Sequence, residues 1–289
     1  MKRFGVIGHP VAHSLSPLMH NTAYSLLGLE CTYEAFDVAP ESLPEALKDF
    51  VNRGFCGLNV TIPHKESVSK QMHELSDEAR AVGAVNTILF ESGRLRGDNT
   101  DVYGVTASLE PFRSSFQKEK VLVLGAGGTT RAIIYALLSR FNPSEIVIAN
   151  RNHARADELV RHFQPYAKAI TLRASPADQA TLGHLATDAR LIINSTSIGM
   201  SPAIDASPIG DWVDVNSKQI VFDLIYTPLE TKLLALARRS GARTISGLEM
   251  FLHQGARSFE LWLGKKMPVD QIRPVIENKS KNRQQDNRE

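Results

Sequence analysis

The sequence predicts an α/β protein of two domains, and three observations carry that expectation. Its 289 residues exceed the usual size of one domain. Runs rich in β-branched and aliphatic residues alternate with helix-periodic segments along almost the whole chain, the pattern of βαβ units and parallel sheets. A polar stretch from Asp101 to Lys120, holding Pro111 and the run Ser114 to Lys120, precedes a fresh and strongly apolar strand, as a domain boundary does.

Taken in order, strands are expected at Phe4 to Ile7, Thr32 to Phe36, Gly57 to Val60 and Val85 to Leu89, with a helix over Leu43 to Asn52 and another after Pro17. Beyond the boundary, strands are expected at Val121 to Leu124, Ile146 to Ile148, Leu191 to Ile193, Ile220 to Phe222 and Ala242 to Ile245. Helical patterns over Thr129 to Ser139, Ala154 to His162 and Leu229 to Ser240 separate them. The apolar-periodic segment from Leu248 to Leu263 either closes the second domain or returns to pack on the first, and the pattern allows both. The last stretch, 278–289, is charged and aperiodic and is expected to be disordered.

Composition excludes several classes of function. The apolar fraction of 43% and the charged fraction of 22% are those of an ordinary globular protein, and no run approaches the roughly 18 apolar residues of a membrane helix. His9-Pro10 interrupts the N-terminal apolar run too early for a secretion signal, so the expected location is the cytoplasm. A net charge of +2 with scattered basic residues gives no nucleic-acid footprint. Two cysteines, Cys31 and Cys56, form neither a CxxC pair nor a disulfide framework. His9, His13 and His20 lack a carboxylate or thiol to complete a metal site, so none is expected. No Gly-x-Ser-x-Gly elbow of a serine hydrolase occurs.

The strand Val121 to Leu124 runs directly into Gly125-Ala126-Gly127-Gly128-Thr129-Thr130, and a helix pattern follows. In that context Gly125 permits a tight turn, Gly127 lets backbone amides approach a pyrophosphate, and the helix N-terminus offers oriented N–H groups and a positive dipole. Thr130 stands where the fingerprint has its third glycine, leaving close packing to Gly128 and Ala132. After the next strand comes Asn150-Arg151-Asn152-His153-Ala154-Arg155, with no carboxylate where NAD enzymes bind the ribose 2′-hydroxyl. Arg151 and Arg155, one helical turn apart, suit a 2′-phosphate and hence NADP; taken alone they also fit two solvated arginines at a helix start.

Other short motifs are dense in polar side chains. They run Gly8-His9-Pro10-Val11-Ala12-His13-Ser14-Leu15-Ser16-Pro17, Asn59-Val60-Thr61-Ile62-Pro63-His64-Lys65, Gly83-Ala84-Val85-Asn86-Thr87 and Gly97-Asp98-Asn99-Thr100-Asp101. The second half adds Asn194 to Met200, Asp223 to Pro228 and Gly247 to Gln254. Singly, Lys65 reads as a surface lysine, Asp101 as a helix cap, Ser14 and Ser16 as a turn, and Gln254 as a core amide.

In this order, from about Phe4 to Ile272, the motifs closely resemble the shikimate dehydrogenase family. The resemblance implies an N-terminal α/β substrate domain and a Rossmann-type doubly wound NADP-binding domain, with a C-terminal helical return onto the first. The domains are then 1–104 with 248–277, and 105–247. It implies reversible NADPH-dependent reduction of 3-dehydroshikimate to shikimate, a step toward chorismate and the aromatic amino acids. Lys65 and Asp101 are the implied catalytic pair, since a carbonyl that accepts hydride needs a proton donor beside its oxygen. Ser14, Ser16, Thr61 and Tyr226 would hold the substrate carboxylate, and Asn59, Asn86 and Gln254, with the catalytic pair, its hydroxyls. Gly125, Ala126, Gly127, Gly128, Thr129, Asn150, Arg151 and Arg155 would hold the cofactor, with Thr196, Gly247 and Met250 near its nicotinamide. Expected partners are a small-molecule substrate alone, with no nucleic acid and no membrane, in a monomer or homodimer. A quinate/shikimate dehydrogenase using NAD or both cofactors, and a non-catalytic NADP-binding regulator, are the alternatives; the regulator would be expected to lack Lys65 or Asp101, and both are present.

Overall fold

A computed structural model describes all residues except Asp211, Trp212, Asp214 and Asn287, Arg288 and Glu289, and describes no side chains from Arg283 onward. Two compact units divide the chain: Met1–Gly104 with Leu252–Glu277, and Val105–Phe251 with Asn278–Glu289.

The first unit holds strands β1 (Lys2–Gly8), β2 (Cys31–Asp37), β3 (Gly57–Val60), β4 (Glu74–Leu75), β5 (Thr87–Glu91) and β6 (Arg94–Asp98) in one sheet of order β2-β1-β3-β5-β6-β4. Helices α1 (Ser16–Leu26), α2 (Leu43–Asn52), α3 (Lys65–Ser69) and α4 (Asp77–Val82) connect them, and α5 (Asp101–Leu109) leads out. The sheet was expected to be parallel but is mixed, because β5 runs antiparallel to both β3 and β6. Ser92 and Gly93, with φ of 50° and 79°, make the two-residue turn that joins β5 to β6, and both left-handed residues match the twist of a tight hairpin. The sheet buries an apolar core of Ile7, Leu47, Phe50, Phe55, Leu58, Val60 and Ile88 among others.

In the second unit, after the short helix α6 (Arg113–Phe116), come β7 (Lys120–Leu124), β8 (Glu145–Asn150), β9 (Thr171–Pro176), β10 (Leu191–Asn194), β11 (Ile220–Asp223) and β12 (Arg243–Ser246). Their order, β12-β11-β10-β7-β8-β9, is wholly parallel. This is the doubly wound dinucleotide-binding order, with its topological switch point between β7 and β10. Helices α7 (Gly128–Arg140), α8 (His153–Phe163), α9 (Gln179–Asp188) and α10 (Lys232–Arg239) provide the crossovers. The central strands β7 and β10 are buried on both faces, as their unbroken aliphatic runs require.

Helix α11 (Gly247–Leu263) begins in the second unit and from Leu252 belongs to the first, so that division falls inside the helix rather than before Leu248. There Trp262 Nε1 donates to the Ile88 carbonyl at 3.0 Å, and Gly57 leaves room for the indole, since a Cβ there would lie 2.2 Å from Nε1. The segment from Asn278, expected to be disordered, continues helix α12 (Val269–Asp286) as far as Asp286. Ser280 is buried and donates to the Tyr226 carbonyl at 3.1 Å, which ties that stretch down. Among the described residues no helix is long and apolar enough to cross a membrane.

Candidate active site

In the first unit the polar motifs converge on one edge of the sheet, because β1, β3 and β6 end there and the antiparallel β5 begins there. Gly8 ends β1 so close to Thr61, just past β3, that a Cβ would lie 2.5 Å from Thr61 Cγ2. That contact sets the Ser14–Ser16 loop beside the Thr61–Lys65 loop. Lys65 opens α3, Asp101 opens α5, and Asn86 immediately precedes β5.

The three meet in one chain of hydrogen bonds. Lys65 Nζ donates to Asp101 Oδ2 at 2.5 Å, and Asn86 Nδ2 donates to Asp101 Oδ1 at 2.7 Å. Asn86 Oδ1 accepts from the Thr100 amide at 2.7 Å and from the Thr87 hydroxyl at 3.0 Å. Lys65 and Asp101 side chains are only 12% and 5% exposed, so this is a desolvated ion pair in which each carboxylate oxygen already accepts one hydrogen bond. Such a pair is held in place by its own geometry, and removing either partner leaves an uncompensated buried charge.

Asn59 sits behind this pair. Its Nδ2 approaches the Asn86 carbonyl at 3.2 Å, Thr87 Oγ1 at 3.2 Å and Ser258 Oγ at 2.9 Å, while its Oδ1 accepts from the Tyr33 hydroxyl at 2.7 Å. Asn59, expected among the substrate ligands, is buried, and its polar atoms all bond protein groups, so it braces the wall behind the pair. Ser258 of α11 completes the network, lying 2.9 Å from Thr87 Oγ1 and 3.1 Å from Thr100 Oγ1 and donating to the Gln254 carbonyl at 3.1 Å. It thereby fixes the helical turn that carries the half-buried Gln254. Tyr33, Thr87, Thr100 and Ser258 were not singled out from sequence; Thr87 and Thr100 lie in motifs already quoted, whereas nothing local marks one tyrosine on a strand or one serine on a helix.

Ser14 Oγ accepts from the Ser16 amide at 3.2 Å, so it shapes the start of α1 while its hydroxyl proton remains a donor. Ser16 is buried and Thr61 half-buried. Tyr226 lies in the second unit, stacked on Phe251 with ring centroids 4.6 Å apart. Of the histidines, His9 bonds Asp37 at 2.7 Å, and His20 is wholly buried against Tyr33, its ring pushed down to about 3 by burial and therefore neutral.

In the second unit the glycine turn stands at the switch point. Gly125 has φ of +110°, and a Cβ on it would lie 2.8 Å from Ser195 Oγ, so both backbone and space demand glycine. Gly127 differs: its φ of −99° suits any residue, and no protein atom comes within 4 Å of a Cβ placed there. Space that the protein itself does not need is what a close-approaching pyrophosphate requires. Thr130, in place of the third fingerprint glycine, accepts from the Gly127 amide at 3.0 Å and bonds Ser195 Oγ at 2.8 Å, bracing the turn against the loop after β10. Ala126 is buried, Gly128 and Thr129 lie in the first turn of α7, where amides have no intrahelical acceptor, and Asn150 ends β8 with its amide donating to the Asn152 carbonyl at 2.8 Å.

Arg151 and Arg155 are exposed at the start of α8, and among the described residues neither has a carboxylate partner. The acids beside them are engaged elsewhere, Asp157 with His153 at 2.7 Å and Glu158 with Arg131 at 3.7 Å. Two unengaged guanidiniums with no acid at the strand end fit a 2′-phosphate. Thr196 is fixed after β10 by bonds from its hydroxyl (2.7 Å) and amide (3.0 Å) to Asn194 Oδ1. Gly247 packs so tightly that a Cβ would lie 2.1 Å from the Leu224 carbonyl oxygen, and Met250 is buried one turn later.

Three family models match successive parts of the chain: the shikimate dehydrogenase substrate binding domain over residues 6–88, shikimate / quinate 5-dehydrogenase over 108–225, and the shikimate 5′-dehydrogenase C-terminal domain over 247–277. A shikimate dehydrogenase (NADP+) of Chlorobaculum tepidum is 40% identical over 281 residues, 95% of each chain. The chain belongs to the shikimate dehydrogenase family. Among solved members, shikimate 5-dehydrogenase from Thermus thermophilus in complex with NADP(H) and shikimate is 38% identical with a TM-score of 0.83, covering 97% of this chain and 100% of that one. A quinate dehydrogenase from Corynebacterium glutamicum in complex with NAD is 28% identical with a TM-score of 0.85, covering 94% and 97%.

Proposed function

We propose that this family member is an NADP-dependent shikimate dehydrogenase that reversibly reduces 3-dehydroshikimate to shikimate. The observation that carries the reaction is the buried Lys65–Asp101 pair, fixed by Asn86 at the sheet edge where the Ser14–Ser16 and Thr61 loops also end. NADPH, held by the Gly125–Gly128 turn with Arg151 and Arg155 on its 2′-phosphate, supplies the hydride when bound. Reduction of a ketone also needs one proton at the oxygen. Lys65 Nζ donates it as the alkoxide develops, so the interaction is strongest in the transition state. Asp101 keeps the ammonium aimed and accepts from a neighbouring substrate hydroxyl, and Asn86 holds Asp101. In the oxidative direction Lys65 takes the alcohol proton as base. Ser14, Ser16 and Thr61 supply hydroxyl donors to the substrate carboxylate. Gln254 faces the ring hydroxyls.

The free guanidiniums of Arg151 and Arg155 favour NADP over the NAD-linked quinate reading. We place the enzyme in the cytoplasm, as a monomer or homodimer acting on a small molecule alone. Absorbance of NADPH formed from shikimate and NADP tests the reading, with NAD and quinate run in parallel. Fast reduction of NADP by shikimate is expected, and faster turnover with quinate and NAD would replace this reading by the alternative.

A further inference from the structure

Between β10 and β12 lies a buried acid that the reaction does not use. Asp223, the last residue of β11, is inaccessible to solvent, and each of its oxygens accepts a hydrogen bond. Oδ1 takes the Asn194 side-chain amide at 3.0 Å and the Ile225 backbone amide at 3.1 Å, and Oδ2 takes the Thr231 hydroxyl at 2.6 Å. Thr231 Oγ1 in turn caps α10 by accepting from the Leu234 amide at 3.2 Å. Among the described residues the groups that bond Asp223 are all neutral, and its register neighbour on β12 is Ser246.

Two loops depend on these bonds. Asn194, held through its amide nitrogen by Asp223, uses its side-chain oxygen to fix both polar groups of Thr196. The backbone at Leu224 and Ile225, held through the Ile225 amide, is the surface against which Gly247 packs. Thr196 and Gly247 are separate in sequence, yet both are positioned from one carboxylate. Resting on the NADP reading above, we infer that Asp223 is a positioning residue for the nicotinamide end of the cofactor site, acting through Asn194 on Thr196 and through Ile225 on the backbone under Gly247. Burial pushes its carboxyl up to about 6, so the folded state carries this charge at neutral pH against a desolvation penalty. A group kept at such a cost at the end of β11, next to the switch-point strand β10, is doing more than filling space.

The test measures dissociation of NADP+ from the full chain by calorimetry, without shikimate, for wild type, Asp223→Ala and Asp223→Asn. The alanine variant is expected to raise the NADP+ dissociation constant about tenfold, with the KM for shikimate within about twofold of wild type. The asparagine variant, whose carbonyl still accepts from Asn194 and Ile225, is expected to recover most of that loss. Unchanged NADP+ binding in Asp223→Ala, an equal rise in the shikimate KM, or no recovery by Asp223→Asn overturns the inference. Should Asp223→Ala fail to fold, Asn194→Ala reads the same connection one bond further on, and wild-type NADP+ affinity there overturns it. A wild-type protein that binds NADP+ but does not oxidise shikimate would sink the proposed reaction and leave this inference standing.

Discussion

The two units treat their polar atoms in opposite ways. In the first, Asp101, Asn86 and Asn59 are buried, and their side-chain polar atoms bond one another, Lys65, a hydroxyl or a backbone group. In the second, the space over Gly127 is empty of protein, and Arg151 and Arg155 are exposed and unengaged among the described residues. A proton donor that must act at one oxygen benefits from a rigid and satisfied surrounding. A site for a long anionic cofactor needs donors left free and room for backbone to approach phosphate. Mutations should therefore separate along this line: damage to the buried network of the first region reaches the fold, and damage to the ligand-facing groups of the second, Gly127, Arg151 and Arg155, reaches affinity alone.

The largest effect is expected at Asp101→Ala, which strands the desolvated Lys65 ammonium. A loss of about 3 to 5 kcal/mol in urea unfolding, together with loss of turnover, is the expected result; an unchanged unfolding midpoint would mean that the pair is not desolvated. Next comes the double variant Arg151→Ala with Arg155→Ala. Its KM for NADP should rise about a hundredfold while turnover with NAD stays near its own wild-type level, because only the 2′-phosphate loses charge-assisted bonds. An equal fall with NAD would place the arginines elsewhere. Smaller still is Gly127→Ala, expected to weaken NADP binding about tenfold with no change in melting temperature, since its Cβ meets no protein atom. Gly125→Ala, with φ of +110° and Ser195 Oγ in the way, should lower the melting temperature as well. If both glycines behave alike, the distinction between structural and ligand-facing glycine fails.

How much of this was legible in sequence follows from the same division. The central strands β7 and β10 are almost continuous apolar runs and stood out at nearly their observed limits. The edge and hairpin strands β4, β6 and β9 did not, because segments such as Arg94-Leu95-Arg96-Gly97-Asp98 have a charged residue at every second position and read as loop. Helix α2 was visible through its amphipathic spacing, whereas α9 has few apolar positions to mark it. Lys65, Asn86 and Asp101 were found as motif members, and only the fold shows them within hydrogen-bond reach. Asn59 shows the limit of such reading: an amide at a strand end suits a ligand and a strut equally, and its bonds to Tyr33 and Ser258 come from distant segments that only the fold brings together. Asp223 sat inside a quoted motif, but its role depends on Asn194, 29 residues away.

A pH dependence is expected as well. The Asp223 carboxyl is raised from 3.8 to about 6 on folding, so the stability linked to its protonated form is present below about pH 4 and lost as pH rises through about 6. Asp223→Asn removes that titration. Between about pH 4 and pH 7 the variant should gain on wild type by on the order of 2 kcal/mol in urea unfolding, and a constant difference would show that Asp223 titrates normally.

The claim on which the account rests is that Lys65 supplies the proton at the reacting oxygen while contributing little to holding substrate. Its most direct measurement sets the turnover of Lys65→Ala with saturating shikimate and NADP beside the shikimate dissociation constant of the same variant by calorimetry. The account predicts turnover lower by about a thousandfold with binding within about threefold of wild type. Turnover near the wild-type rate would contradict it.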